Sequence, residues 1–143
     1  MSMLDGFSGY NHILVHLDDQ EKTTFTTPWV TFMYVKMPFG LMNVGATFQR
    51  GMDIAFAEEK YRFVVIYLDD ITVFLKTDDE HVKHLEQVLR KCIKFGISLN
   101  PKKSIFSMDE GKLLGHIISK EGIRIDPIKV EIILKIDIPR NKK

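Results

Sequence analysis

Two apolar runs with an acidic pair between them fill residues 63–75, which read FVVIYLDDITVFL. The runs on either side are rich in valine, isoleucine and phenylalanine, residue types that favour β-strands. Asp69 and Asp70 leave a connection short enough for a tight hairpin turn. We therefore predict antiparallel strands over residues 63–68 and 71–75, with both aspartates at the tip.

An acidic pair at a hairpin tip is electrostatically unfavourable unless a proton or a cation accompanies it. Two carboxylates a few ångströms apart repel each other, at a cost of several kcal/mol in a low dielectric. Magnesium favours one or two carboxylates plus substrate phosphates, so a nucleotide site needs few acidic residues. Asp5, followed by a glycine-containing segment, is a third candidate ligand. The alternative is that both acidic segments are ordinary turns.

The first half of the chain predicts a strand pair and a helix. Residues 23–25 and 31–36 are rich in β-branched and aromatic types and are separated by Thr27-Pro28-Trp29. The break at residues 37–40 ends the pair. Together with a helix start at Asn43, its Pro-Phe-Gly turn would leave backbone N–H groups free near a cleft, and the alternative is a purely structural turn. From Asn43, a suitable cap, apolar residues recur at three- and four-residue spacing, which predicts a helix.

The second half predicts further helices and short strands. Thr77 and Glu80 have capping-box spacing and Gly96 can end a helix in the left-handed conformation. The helix predicted between them has an apolar stripe that consists of Val82, Leu85, Leu89 and Cys92. Strand-like pieces follow near residues 103–106, 112–118 and 123–125, and Asp126-Pro127 predicts the start of a last helix. The pattern as a whole predicts an α+β fold.

Composition narrows the function without defining it. The chain has 143 residues, 45% hydrophobic and 27% charged, which suits one globular domain, and its net charge of +1 does not indicate nucleic acid. One cysteine excludes a disulfide framework, and no apolar run reaches membrane-spanning length. His81 and His84 have spacing that could bind zinc, but they lack an obvious third ligand and a structural role is favoured.

Six ordered motifs together resemble the reverse transcriptase of gypsy-type long-terminal-repeat retrotransposons, especially plant ones. In chain order they are LDGFSGYN at 4–11, the hairpin from Lys22 to Trp29, the segment from MPFGL at 37–41 to GATFQR at 45–50, YLDD at 67–70, GISLNPKK at 96–103 and LLGHI at 113–117. The resemblance covers nearly the whole chain and implies a polymerase palm, an antiparallel sheet backed by helices, with part of the fingers.

The resemblance also implies a division of the chain. Residues of about 20–42 would form the fingers hairpin, residues 1–19 and 43–126 the palm with its primer-grip hairpin, and residues 127–143 the start of a thumb or connection. The remaining fingers, thumb and RNase H parts would belong to a longer polyprotein.

The implied reaction is RNA- and DNA-directed DNA synthesis by two-metal phosphoryl transfer. Asp5 and Asp69 would be the principal ligands of two Mg²⁺ ions, with Mn²⁺ as a substitute, and Asp70 would support them. Tyr10 would be the steric gate against a 2′-hydroxyl. Phe39 and Gly40 would line the nucleotide, and Gln49 would lie near the template.

Further substrate contacts and partners follow from the same resemblance. The other implied substrate-binding positions are Tyr67, Lys102 and Lys103, and the implied primer grip is Leu114, Gly115 and His116. The implied partners are deoxynucleotides and an RNA or DNA template with its primer, with no membrane. The implied location is the cytoplasm, in a virus-like particle.

Several positions depart from the family pattern. Val30 stands where the family usually has glycine, His12 where it has glutamine, Leu75 where it has serine, and Val35-Lys36 inverts a common order. These departures are compatible with a decayed or truncated copy, and we expect little or no processive polymerase activity from the 143 residues alone. The alternatives are a catalytically inactive palm-like module that binds nucleic acid or a partner, and an acidic palm domain that cyclises or cleaves nucleotides.

Overall fold

A computed structural model describes residues 1–7, 9–74 and 80–136. It divides into two compact units, the larger over Ser2–Phe106 and the smaller formed by Met1 with the residues from Ser107 onward. Helices and antiparallel sheets occur together, which confirms the predicted α+β class. Within the described ranges, no helix is long and apolar enough to cross a membrane.

A three-stranded antiparallel sheet lies at the centre of the larger unit. Its strands are β1 (Ser2–Asp5), β4 (Val64–Tyr67) and β5 (Asp70–Val73), in the order β1-β5-β4. All of Ile71, Thr72 and Val73 in the central strand are buried, because β5 has a neighbour on each edge and helices against the sheet. Strand β1 was not predicted, since four residues carry too little pattern to recognise.

Two helices complete the core of this unit. Helix α2 (Val44–Ala55) buries Val44, Phe48, Met52 and Ala55, the three- and four-residue spacing that predicted it. Asn43 precedes the helix as expected but makes no side-chain capping hydrogen bond. Helix α3 (His81–Phe95) ends at Gly96, which adopts φ +66° and confirms the predicted stop.

The predicted stripe of α3 is partly wrong. Val82 is 72% exposed, whereas Val88 and Cys92 are buried, with Leu85 and Leu89 packed against the core. The start of the predicted capping box, Thr77, lies outside the described residues. His81 bonds to the Ser2 hydroxyl and His84 stacks on Phe63, so both rings contribute to packing.

The segment before α2 is more irregular than predicted. Helix α1 (Leu17–Gln20) is followed by a short pair, β2 (Phe25–Thr26) and β3 (Thr31–Phe32). Thr23 lies in a 3₁₀ turn, so the first strand starts later than expected. The second ends early because Val35 O instead accepts from Val15 N and Met37 N donates to Ile13 O.

The smaller unit is a three-stranded meander followed by a helix. It consists of β6 (Gly111–Leu113), β7 (His116–Ser119), β8 (Gly122–Ile125) and α4 (Pro127–Leu134). Asp126 caps α4 by accepting from Ile128 N at 3.1 Å, and Pro127 is at the first position, which confirms the prediction. The predicted strand near residues 103–106 is wrong, since only an isolated bridge between Ile105 and Met3 occurs there.

Candidate active site

The strand register brings the three candidate aspartates together. Asp5 at the end of β1 is the direct partner of Asp70 at the start of β5. Gly6 N donates to Asp69 O at 2.7 Å, which ties the residue after Asp5 to the turn. The predicted turn is one residue off: the tip consists of Leu68 and Asp69, while Asp70 pairs with Tyr67 inside the sheet. Residues far apart in sequence therefore form one acidic cluster.

The main chain of Asp5 is held from the segment that follows α3. Asp5 N donates to Ser104 Oγ at 3.2 Å, and Asp5 O accepts from Asn100 N at 2.7 Å. Lys103 Nζ lies 3.9 Å from Asp5 Oδ2, with 69% of the lysine side chain exposed. The predicted lysine motif thus supplies both a backbone support and a positive charge beside the cluster.

Burial and mutual repulsion disfavour ionisation of the hairpin aspartates. Burial raises the pKa of Asp69, and the charges of Asp5 and Asp70 raise it further. Burial likewise raises the pKa of Asp70, with a further contribution from Asp5. Lys103 acts in the opposite direction on both carboxyl groups. The site therefore favours any cation that can reach these oxygens.

The environment of the Asp69 carboxylate shows best whether this site suits a metal ion. Its Oδ1 is buried and has no hydrogen-bond partner, which is costly for a carboxylate oxygen unless something else binds it. A hard divalent cation prefers such oxygen ligands. Among the described residues no three acidic, histidine or cysteine side chains already converge as a metal site. A sparse site completed by substrate phosphates needs no such cage.

Gly9 leaves the space that the Asp69 carboxylate occupies. A Cβ at residue 9 would collide with Asp69 Oδ1 and lie 2.6 Å from Phe48 Cζ. His12, on the same short 3₁₀ turn, has a buried and unpartnered Nδ1. Burial and Lys36 lower the pKa of His12, while Asp69 raises it. The sequence assigned neither residue a role, because only the folded chain brings them to Asp69.

Tyr10, on the same 3₁₀ turn, is the centre of an aromatic cluster. The Tyr10 ring meets Phe39 edge-on at 4.9 Å and Phe48 at 5.2 Å between ring centroids. Phe39 is 68% exposed, and Gly40 adopts φ +97° with open space around it. The structure thus brings together Tyr10 and Phe39, two of the predicted nucleotide residues, with Gly40 next in sequence.

Gln49 is bonded to the acidic hairpin itself. Its Oε1 accepts from Leu68 N at 2.8 Å, and its Nε2 donates to Asp53 Oδ1 at 3.0 Å and to Ile66 O at 3.3 Å. Its implied position near the template stays a prediction. Tyr67 is half exposed beside the same turn.

The remaining candidates lie in two places. Lys102 is exposed on the turn after Asn100, whose Oδ1 accepts from Lys102 N at 3.1 Å. Leu114, Gly115 and His116 belong to the smaller unit, at the β6–β7 hairpin. Their implied contact with a primer stays a prediction.

Comparison with known proteins agrees with this geometry. Residues 1–118 match the family model described as reverse transcriptase (RNA-dependent DNA polymerase). Solved structures of a foamy viral protease-reverse transcriptase superpose with TM-scores of 0.80 in complex with RNA/DNA hybrid and 0.84 with double-stranded DNA. Each shares 27% identity and covers 97% of this chain, which spans 19% and 24% of those chains.

Curated relatives point to the same family. The chain is 33% identical over 95% of its length to the Pol polyprotein from transposon gypsy of Drosophila melanogaster. It is 34% identical over 98% of its length to the transposon Tf2-3 polyprotein of Schizosaccharomyces pombe. It spans only 13% and 10% of those two polyproteins.

The chain belongs to the reverse transcriptase family. Its relatives support the gypsy-type retrotransposon resemblance, while the affinity to plant elements stays a prediction. Members of this family use divalent metal ions.

Proposed function

We propose that the chain is the catalytic core of an RNA- and DNA-directed DNA polymerase within a retrotransposon polyprotein. It adds deoxynucleotides to a primer 3′-hydroxyl. The observation that carries the proposal is the direct pairing of Asp5 with Asp70 beside Asp69, whose Oδ1 is buried and unpartnered. The foamy viral relatives in complex with RNA/DNA hybrid and double-stranded DNA support the choice of substrate.

In this proposal Asp5, Asp69 and Asp70 hold two Mg²⁺ ions, for which Mn²⁺ can substitute. Bound divalent ions of this kind supply activation of a hydroxyl nucleophile and stabilisation of negative charge on phosphate. Lys103 contributes positive charge beside Asp5, and the raised pKa values of Asp69 and Asp70 reflect the burial and repulsion that a cation would relieve. The chain's own part is to hold the carboxylates in register.

The other residues select and align the substrates. The Tyr10 ring, held between Phe39 and Phe48, limits the space under the sugar and so disfavours a 2′-hydroxyl. Phe39 and Gly40 present an exposed surface beside it for the incoming nucleotide. Lys102, Tyr67 and Gln49 complete the substrate side, and Leu114, Gly115 and His116 hold the primer. The template is read by base pairing, so the protein needs only backbone contacts.

Primer extension on a poly(rA) template with Mg²⁺, measured on the longest natural protein that contains these residues, tests the proposal. Asp69→Asn should lower the rate at least about a hundredfold, because a divalent ion contributes several kcal/mol to transition-state stabilisation. Asp109→Asn is the matched control, since that side chain is 96% exposed and lies in the smaller unit. Extension that persists in Asp69→Asn contradicts the assignment.

The same assay, combined with a measurement of duplex binding, distinguishes the polymerase from the catalytically inactive palm-like module. A protein that binds primer–template duplex but extends it neither with Mg²⁺ nor with Mn²⁺ is a binding module with a palm fold. We also propose a cytoplasmic location in a virus-like particle, because the similar polyproteins are transposon products. Cell fractionation with sedimentation of the particle fraction tests that location.

A further inference from the structure

A line of polar side chains connects the end of helix α2 to the acidic hairpin. Lys60 Nζ bonds to Asp53 Oδ1 at 2.6 Å, and the same oxygen accepts from Gln49 Nε2 at 3.0 Å. Gln49 Oε1 then accepts the N–H of Leu68 at 2.8 Å. Leu68 is the turn residue that immediately precedes Asp69. The side chains of Asp53 and Gln49 thus link Lys60 to the backbone beside a candidate metal ligand.

Asp53 and the Ile66 carbonyl together determine which way the Gln49 amide points, because both accept from Gln49 Nε2, at 3.0 Å and 3.3 Å. An ionised carboxylate only accepts hydrogen bonds, so it must meet the Nε2 of Gln49 and leave Oε1 for the N–H of Leu68. The reversed amide would set two donors against each other at Leu68 and two acceptors against each other at Asp53. The hydrogen bond from Lys60 lowers the pKa of Asp53, which keeps that carboxylate ionised.

The orientation matters because the turn is conformationally demanding. Leu68 has φ +52°, a left-handed conformation that costs a non-glycine residue roughly 1–2 kcal/mol. Its N–H bond to Gln49 therefore holds a conformation that the local sequence disfavours. A small displacement of this turn would move the Asp69 carboxylate, and misplacements of about 1 Å can cost about a hundredfold in rate.

We propose that Asp53 and Lys60 are positioning residues for the acidic turn, acting on Leu68 through Gln49. This proposal deepens the polymerase function and rests on it for the effect on rate, but the effect on the turn is independent of it. Neither residue contacts the acidic cluster directly, so their influence passes through the Gln49 amide.

A second lysine–carboxylate pair provides a matched control. Lys91 Nζ lies 2.7 Å from Glu59 Oε2, with 22% of its side chain exposed, against 18% for Lys60. That pair joins α3 to the loop after α2, and its bonds run to Glu58 and Glu59. Removing the ammonium from either lysine therefore breaks a similar ion pair, but only Lys60 is bonded to the oxygen that orients Gln49.

Amide hydrogen exchange of Leu68, measured by NMR on the whole 143-residue chain, tests the effect on the turn. Lys60→Met and Asp53→Ala should speed exchange at Leu68 about fivefold to tenfold, the factor expected for weakening one hydrogen bond. Asp53→Asn, a milder change should Asp53→Ala fail to fold, should give a smaller increase. Lys60→Arg should restore the wild-type rate, and Lys91→Met should change it less than about twofold.

Steady-state primer extension, measured on the longest natural protein that contains these residues, tests the effect on catalysis. Lys60→Met should lower kcat about fivefold and leave KM for the deoxynucleotide nearly unchanged, because the substrate surface is not altered. Leu68 exchange that responds equally to Lys60→Met and Lys91→Met overturns the proposal. If Leu68 exchange responds to Lys60→Met but not to Lys91→Met, and the wild-type protein does not extend primers, the positioning role is supported. The polymerase function is then contradicted instead.

Discussion

The β4–β5 and β6–β7 hairpins have turns of the same length but are stabilised differently. Both have two-residue turns that begin with a leucine at positive φ, Leu68 at +52° and Leu114 at +50°. In the β6–β7 hairpin Gly115 follows at φ +78°, a conformation that glycine adopts without steric cost. In the β4–β5 hairpin Asp69 follows, and the turn is bonded to Gly6 and Gln49.

The difference shows where each conformation originates. In the β6–β7 turn a glycine supports the left-handed backbone, and the remote contact is one main-chain bond from Asp126 N to Gly115 O at 3.1 Å. The β4–β5 turn depends on Gly6 and Gln49, which are remote in sequence. Such support holds the Asp69 side chain in one defined position, as a candidate metal ligand requires. Substitutions that remove the support of one hairpin should therefore weaken that hairpin and leave the other intact.

The largest effect is expected from Gly9→Ala. The added methyl group would overlap the Asp69 carboxylate and the Phe48 ring, and overpacking of this kind costs up to about 3 kcal/mol. Urea unfolding should show this loss, together with loss of primer extension. Gly51→Ala is the control, since its nearest neighbour would be Ile13 Cδ1 at 3.6 Å and alanine favours the helix. A Gly9→Ala protein as stable as wild type would contradict the close contact.

Gln49→Ala should be next in magnitude. It removes the acceptor of the Leu68 N–H and leaves that half-buried donor unsatisfied, at a cost of about 2 kcal/mol. Thermal unfolding and Leu68 amide exchange measure the change. Gln87→Ala, the same substitution at an exposed position of α3, should stay within about 0.5 kcal/mol of wild type. Unchanged Leu68 exchange in Gln49→Ala would mean that the turn does not need its remote support.

Gly115→Ala should have a smaller effect, confined to the β6–β7 hairpin. A left-handed backbone costs an alanine about 1 kcal/mol, while the Lys129 side chain that the methyl group would meet is flexible at that end. Amide exchange across β6 and β7 should accelerate, with exchange at Leu68 unchanged. Gly115→Asn should cost less, because asparagine tolerates this conformation. Equal losses for the two variants would argue against backbone strain as the cause.

The pH dependence of the free energy of unfolding should have opposite signs for the Asp69–Asp70 pair and for Asp126. The raised pKa values of Asp69 and Asp70 mean that their protonated forms favour folding, a contribution lost as pH rises from the usual value of 3.8 through the folded pKa. The hydrogen bond from Lys112 lowers the pKa of Asp126, whose contribution is present above 3.8 and lost as pH falls through the folded pKa.

Urea unfolding without divalent cations measures this contrast. Asp69→Asn should be more stable than wild type at neutral pH, with an advantage that fades in acid. Asp126→Asn should be less stable at neutral pH, with a deficit that fades in acid. Adding Mg²⁺ should stabilise wild type more than Asp69→Asn. Two variants that shift stability in the same direction would contradict the opposite environments.

Local signals correctly predicted the end of α3 and the start of α4, and non-local pairing accounts for most of the errors. Gly96 and Asp126-Pro127 act through their own backbone, so they mark helix boundaries in any context. The tip of the acidic hairpin was displaced by one residue, because Asp70 pairs with both Tyr67 and Asp5. Part of that register comes from strand β1, which was not recognised in the sequence.

The residues of the candidate site that lie in the family-like motifs could be predicted from the sequence. The three aspartates, Tyr10 and Phe39 came from residues that resemble a known family, and the structure brings each group together. Gly9, Asp53 and Lys60 could not be found from the sequence, since their contacts depend on how α2 and the 3₁₀ turn pack against the hairpin.

The pairing of β1 with β5 also constrains when the protein can fold during synthesis. Ser2 is the register partner of Val73, and Met3 bonds to the backbone of Ile105. The first strand emerges from the ribosome long before its partners, and such distant pairings form slowly. Strand β1 therefore has no sheet partner until residues 70–73 have been translated, and Met3 gains its bonds to Ile105 later still. An unpaired strand edge on a nascent chain is prone to aggregation.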